Sequence, residues 1–149
     1  MKPEKLKDRR FDVGGDELID ASALESEPYD HQPQDTEIRF DTREFTCVCP
    51  WSGLPDFGTL RLTYFPRRRI IELKSFKYYL HSFRNVGIYQ EDAINRIVAD
   101  FWACVKPKYV RIELDYEVRG GIHQVCTVER GKKLGAPGKS KPSAKSAPD

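Results

Sequence analysis

Val110-Arg-Ile-Glu-Leu-Asp-Tyr-Glu-Val-Arg-Gly-Gly-Ile122 alternates apolar and charged residues and then stops at two glycines. In an extended chain, Val110, Ile112, Leu114, Tyr116 and Val118 share one face, and Arg111, Glu113, Asp115, Glu117 and Arg119 share the other. A face so charged stays wet, so the sheet holding this strand is covered on one side only. Gly120-Gly121 is a hairpin signal, and Ile122 to Glu129 is expected to return as the partner strand. The same period of two appears upstream, where Leu60, Leu62 and Tyr64 oppose Thr59, Arg61 and Thr63. Pro66 and Arg67-Arg68-Arg69 then form a basic turn, and Ile70-Ile71-Glu72-Leu73 reads as a short second strand. Before these, Glu37 to Phe45 alternates only weakly.

Between the strand pairs the period changes. Phe76, Tyr79, Leu80 and Phe83 fall at helical spacing, Ser75 can cap the segment, and Arg84-Asn85-Val86-Gly87 closes it. A second helix is expected from about Gln90 to Cys104, with Ile94, Ile97, Val98, Phe101 and Val105 inward and Glu91 and Asp92 in its first turn. The order strand, strand, helix, helix, strand, strand gives an α+β fold: an antiparallel four-stranded sheet with both helices on one face.

The 149 residues predict one domain, and the near-neutral net charge of +2 is unevenly spread. Residues 1–35 carry five Lys or Arg against ten Asp or Glu and are expected to form a flexible acidic arm with one short helix near Asp16 to Leu24. Residues 36–130 form the folded domain, and 131–149, rich in Lys, Ser, Ala and Pro, read as a disordered basic tail. No apolar run approaches a membrane span and the start has no signal-peptide core, so a cytoplasmic location is expected. The four cysteines lack the regular spacing of a disulfide framework, and the scattered histidines give no partner cluster for Cys47-Val48-Cys49, so no metal site is expected. At this size the buried area per residue is modest, which favours oligomerisation.

Chemistry concentrates in Cys49-Pro-Trp-Ser-Gly-Leu-Pro-Asp56, a thiol and a carboxylate on one proline-bounded loop. Cys104 and Cys126 sit in helix and strand patterns that suit packing. Cys47 and Cys49 both precede the turn, and the residues alone leave open whether either is a reagent or a packing group. Asp56, between Pro55 and Phe57, can serve as a general acid or as a turn residue. Glu72 and Glu91 can each accept paired N–H donors from a guanine-like edge, or can serve as helix-start or strand-end acids. Lys74, Lys77 and Arg84, with the arginine turn and Tyr78 and Tyr79 nearby, form a basic surface suited to a phosphorylated cofactor or a nucleic acid. No Rossmann or P-loop glycine motif follows any strand.

Glu72-Leu-Lys-Ser-Phe-Lys-Tyr-Tyr79 resembles a signature of the NADPH-dependent 7-cyano-7-deazaguanine reductases, nitrile reductases of the queuosine tRNA-modification pathway, in their short single-domain form. The resemblance extends through Glu44-Phe-Thr46, the Cys49 loop, Leu80-His-Ser-Phe-Arg-Asn85, Glu91 and Arg119-Gly-Gly-Ile122, covering roughly residues 40 to 125. It implies a tunnelling fold, in which four-stranded sheets from several subunits join into a barrel with active sites at subunit interfaces. It implies Cys49 as nucleophile and Asp56 as proton donor, with Cys47 standing where relatives carry Ser. Ile71, Glu72, Leu73, Gln90 and Glu91 would bind the substrate. Lys74, Ser75, Lys77, Tyr78, Tyr79 and Arg119 would bind NADPH, with no metal. Where many relatives carry His before the glutamate, this chain has Gln90, which hydrogen-bonds but cannot shuttle a proton near neutral pH.

The implied reaction is addition of the Cys49 thiolate to a nitrile, giving a thioimide that two NADPH reduce to 7-aminomethyl-7-deazaguanine. The competing readings are an amidine-forming relative that adds ammonia to the same thioimide, and a nucleic-acid-binding module using the arginine turn and basic tail. Balanced core charge argues against the latter, so direct nucleic-acid binding is not expected. GTP cyclohydrolase-like activity is disfavoured for lack of a Cys and His zinc set.

Overall fold

The computed structural model describes residues 11–134. Its strands are β1 (Ser26–Pro28), β2 (Ile38–Val48), β3 (Pro55–Phe65), β4 (Arg69–Ile71), β5 (Tyr109–Tyr116) and β6 (Val125–Gly131); its helices are α1 (Leu73–His81) and α2 (Gln90–Val105). The main sheet is antiparallel in the order β2-β3-β5-β6, and β1 and β4 form a separate two-stranded ribbon. The sheet therefore differs from the expected one in one member. Its first strand is Ile38–Val48, whereas Ile70-Ile71 pairs outside it with Glu27 and Ser26.

A bulge explains why β2 alternates weakly. Thr42 faces Leu60 but Phe45 faces Gly58, so β2 carries one residue more than β3 across this interval. The inward set accordingly switches from Ile38 and Phe40 to Phe45 and Cys47, both of the latter fully buried.

Leu60, Leu62 and Tyr64 of β3 and Val110, Ile112, Leu114 and Tyr116 of β5 are buried on the face that receives the helices. From α1 and the turn after it come Phe76, Tyr79, Leu80 and Phe83; from α2 come Ile94, Ile97, Val98, Phe101 and Val105. Each such side chain contributes about 1.5–3 kcal/mol by leaving water. The opposite face carries a charge ladder. Arg61 contacts Glu113 at 2.9 Å and Asp115 at 3.1 Å, Arg111 reaches Glu113 and Glu129, and His123 lies 2.6 Å from Asp115.

The helix caps differ from the sequence reading. Glu72, not Ser75, caps α1, its carboxylate accepting from the N–H groups of Lys74 (2.9 Å) and Ser75 (2.7 Å). The helix ends at His81, six residues before Gly87, and the Arg84 guanidinium donates to the His81 carbonyl. Gly120 and Gly121, at φ +60° and +78°, form the hairpin turn, closed by reciprocal Arg119–Ile122 backbone bonds of 3.1 Å.

The part of the acidic arm within the described residues lies along the body of the domain. Gly14 bridges Val86, Ile19 is buried, two short 3-10 turns span Asp16–Leu18 and Ala21–Ala23, and β1 adds to β4. Most of the expected basic tail lies outside the described residues. Ile112→Ala should lower unfolding free energy by about 2–5 kcal/mol in urea denaturation. Arg61→Ala, on the wet face, should cost less than about 1 kcal/mol.

Candidate active site

The Cys49 loop is the connection of the β2–β3 hairpin, and local backbone bonds set its shape. Cys49 N–H donates to Leu54 O at 2.9 Å, Gly53 N–H donates to Cys49 O at 2.8 Å, and Gly53 adopts φ +69°, a conformation open to glycine. An added Cβ there would also press on the Phe11 carbonyl at 2.8 Å.

Two thiols two residues apart meet opposite surroundings. Cys47 is buried in the core and faces Asp56 across the ladder; burial first, then the Asp56 charge, pushes its thiol up to about 12. Cys49 is partly exposed. The Ser52 N–H lowers its thiol from the ordinary value; slight desolvation opposes this, and the Ser52 hydroxyl, the Trp51 N–H and the Arg119 charge reinforce it. Partial exposure among donors is the setting of a reactive thiol, and full burial that of an inert one.

Asp56 is only 6 % exposed. Arg119 supplies the compensating charge, Nη1 to Oδ1 at 2.8 Å, and the Thr46 hydroxyl fixes the Asp56 carbonyl at 2.8 Å. From Cys47, which faces Asp56, the chain runs two residues, about 7 Å of strand, to Cys49. Cys49 and Asp56 are thus gathered at one end of the hairpin.

Arg119 also lines a cleft of about 300 Å³, with Gln90, Tyr116, Glu117, Ile122 and Gln124; Cys49 and Asp56 are not part of its lining. Glu91, in the first turn of α2, accepts from Gln124 Nε2 at 2.9 Å. Its own backbone N–H first, and then Gln124, hold its carboxyl below the usual glutamate value. Burial pushes the Tyr116 phenol up, and its hydroxyl donates to the Gln90 carbonyl at 3.4 Å. Gln124 and Tyr116 had no functional signal in sequence. Tyr116 reads as one more apolar residue in an alternating strand, and Gln124 meets Glu91 only through the fold.

The other expected binding residues lie elsewhere. Ile71 N–H donates to the Tyr64 hydroxyl at 3.2 Å, and Tyr64 is eight residues along β3 from Asp56, roughly 26 Å of strand. Ile71, Glu72 and Leu73 are therefore at the far end of the sheet from Cys49. Lys74, Lys77 and Tyr78 are exposed and, with His81, line an open groove. Ser75 and Tyr79 face inward: Ser75 Oγ donates to Glu72 O at 2.7 Å, and the Tyr79 hydroxyl donates to Asp100 at 2.7 Å. Arg119, expected with the cofactor, has its guanidinium on Asp56. Among the described residues no group of three or more His, Cys, Asp or Glu side chains is placed to hold a metal ion, and no helix is long and apolar enough to cross a membrane.

Comparison with known proteins places these residues in a recognised group. The family model described as QueF-like protein matches residues 55–134. A protein of Caldanaerobacter subterraneus subsp. tengcongensis named NADPH-dependent 7-cyano-7-deazaguanine reductase is 49% identical over 119 residues, 80% of this chain and 89% of that protein. One of the same name from Thermotoga petrophila is 44% identical over 135 residues, 88% of this chain and 96% of its own length. Among solved structures, an archaeosine synthase QueF-Like in the apo form aligns with TM-score 0.62 and 25% identity, over 68% of this chain and 99% of its own.

Iodoacetamide near neutral pH should label Cys49 and spare Cys47 in peptide mass mapping. Ser52→Ala should move the pH midpoint of Cys49 labelling upward, because a donor to the thiolate is lost. In a carbon-detected NMR titration, Gln124→Leu should raise the Glu91 midpoint toward the ordinary glutamate value for the same reason.

Proposed function

The chain belongs to the QueF-like family, and from that membership and the site geometry we propose that it is an oxidoreductase reducing the nitrile of 7-cyano-7-deazaguanine to the aminomethyl group with NADPH, within queuosine biosynthesis in the cytoplasm. The observation that carries this reading is the contrast at the hairpin end: a partly exposed, donor-surrounded Cys49, two residues on from the Cys47 that faces a buried, ion-paired Asp56.

Sulfur of Cys49 forms a bond to the nitrile carbon as one C–N π bond breaks, and the nitrogen takes a proton, giving a thioimide. Asp56 delivers that proton. With Arg119 on Oδ1, the other carboxylate oxygen takes the proton released by the thiol and passes it to the nitrogen, so the net change is addition of S–H across C≡N. Glu91, held charged by Gln124, accepts the N–H donors of the pyrimidinone edge, and Gln90 beside it contributes hydrogen bonds without proton transfer.

The exposed Lys74 and Lys77 offer cations for phosphate groups, and Tyr78 offers a flat face beside them, a donor set that fits a dinucleotide. NADPH, when bound, supplies the hydrides, two cofactors per nitrile. Cys49 would leave after the first reduction, and the resulting imine would need protection from water.

One chain does not enclose that site. Ile71, Glu72 and Leu73 are a strand length from Cys49, while among the described residues β6 has no strand on its outer edge and β2 is bridged on its outer edge only at Val48, to Gly87. We place the missing half on a second copy, with edge pairing closing tunnelling-fold sheets into a barrel around the charged face. Glu72 can serve there while it caps α1, since a carboxylate has four acceptor positions and the two backbone N–H groups take two.

Mixing the protein with 7-cyano-7-deazaguanine without NADPH should give a covalent adduct by intact mass and a thioimide absorbance. Cys49→Ala should abolish both, Cys47→Ala should keep both, and Asp56→Asn should slow their appearance about 100-fold. An adduct on Cys49→Ala would sink the assignment. Amidine production from ammonia without NADPH consumption would instead favour the amidine-forming reading.

A further inference from the structure

Cys49 sits between two fastenings of different kinds. Before it, the backbone is pinned: Val48 N–H donates to Val86 O at 3.0 Å and Ile88 N–H donates to Val48 O at 3.2 Å. After it, beyond Pro50, a side chain is used, the Trp51 indole Nε1–H donating to the Tyr89 hydroxyl at 2.8 Å. Both rings stand largely in water, at 67 % and 50 % exposure, so neither serves mainly to fill the core.

Sequence places the two partners tellingly. Trp51 is two residues after the thiol, and Tyr89 is the residue before α2, two residues ahead of Glu91. A single hydrogen bond thus spans from the nucleophile's loop to the helix start that carries the proposed base-gripping carboxylate. Tyr89 is the fixed partner, because its carbonyl accepts from Ala93 N–H at 2.9 Å and the helix it leads buries Ala93, Ile94 and Ile97. The loop is held internally, by the Cys49–Leu54 and Gly53–Cys49 backbone bonds, so its shape is its own and the Trp51 side chain is its hydrogen bond to the start of α2.

A substrate held at its ring edge by Glu91 presents its nitrile carbon at a position set by α2, and the sulfur that must meet it is set by the loop. Rate therefore depends on how the loop is held against the helix, and errors near 1 Å in such placement are costly. We propose that Trp51 is a positioning residue, which by its hydrogen bond to Tyr89 sets the Cys49 loop against the Glu91 helix start and so fixes the thiol's approach to the nitrile. This rests on the reaction read above. It adds a residue pair outside the set that touches the reacting atoms.

The test uses the full chain with Trp51→Phe, Tyr89→Phe and the double variant, each keeping a ring and deleting one side of the bond. Thioimide formation is followed at saturating nitrile without NADPH. Each single change should slow it about tenfold, and the double should be no slower than either single, because both delete the same bond. The pH midpoint of Cys49 alkylation should stay where it is in the wild type, since Ser52 is untouched, and the Trp51 indole N–H should exchange faster in Tyr89→Phe. Rates within twofold of wild type, losses that multiply in the double variant, or a shifted alkylation midpoint in Trp51→Phe would each overturn the role. If the wild type forms no thioimide, the reaction itself falls and the role with it; a wild-type adduct with indifferent variants overturns Trp51 alone.

Discussion

Asp56 places a carboxylate on the core face of β3, where Leu60, Leu62 and Tyr64 follow it inward. A charge so buried is tolerated only when paired, and breaking such a pair leaves an uncompensated charge costing several kcal/mol. The partner comes from far along the chain. Arg119 sits beyond the end of β5, on the short hairpin that Gly120 and Gly121 turn back, and its Nη1 lies 2.8 Å from Oδ1. Holding that ion pair together requires the β3–β5 register and the glycine turn at once. The β2–β3 register puts Cys47 opposite the acid and sends Cys49 out into the loop. A hydrophobe at position 56 would suit the strand better on stability alone, so under the proposed reaction the acid is a cost accepted for proton transfer.

The thiols show how little residue type decides by itself. Cys47 and Cys49 share a strand end, yet one is driven upward by burial and a facing carboxylate while the other is drawn down by amide and hydroxyl donors. Selection between them is a matter of one strand position on either side of the hairpin's last ladder pair, Val48 with Pro55. Glu91 follows the same logic on the helix side, where its own N–H and the Gln124 amide favour the charged form.

What could be read directly in the sequence was whatever depends on neighbours in sequence. β5, β6 and their turn follow from alternation ended by two glycines, although the ladder stops at Asp115–Val125 and leaves Val118 and Ile122, expected in the strands, exposed in the connection; the apolar stripes of α1 and α2 follow from helical spacing. β2 was obscured because its bulge between Thr42 and Phe45 exchanges the inward and outward sets midway. Ile70-Ile71 was a strand, but its partner Ser26–Pro28 lay in an arm whose polarity suggested no structure. The cap of α1 moved to Glu72 because the longer acid reaches two N–H groups, leaving Ser75 to bond the Glu72 carbonyl and the arm at Glu25. At the site, Cys49 and Asp56 stand close in sequence and are visible as a pair, although Asp56 belongs to β3, opposite Cys47, and not to the loop on which the sequence reading put it. The pairings of Arg119 with Asp56, Gln124 with Glu91 and Trp51 with Tyr89 span 63, 33 and 38 residues and come only from the fold.

The distribution of those pairings bears on why the domain has the shape it does. Reactive groups cluster at one end of β3, while the segment from Ile71 to Tyr78 hangs from Tyr64 at the other. A compact chain of this size could have brought them together only by folding a long loop across the sheet, at a loss of chain entropy and with backbone polar groups to satisfy. Antiparallel edges offer a cheaper route. Among the described residues neither β6 nor β2 short of its Val48–Gly87 bridge has a strand on its outer edge, and the charge ladder between them gives a polar surface that a closed barrel can enclose without a hydrophobic filling. Under the proposed assembly each edge hydrogen bond that closes the barrel also brings a Glu72 toward a neighbour's Cys49. Loss of edge pairing would then abolish activity before it unfolded the chain, because the core between sheet and helices belongs to one copy and the site does not.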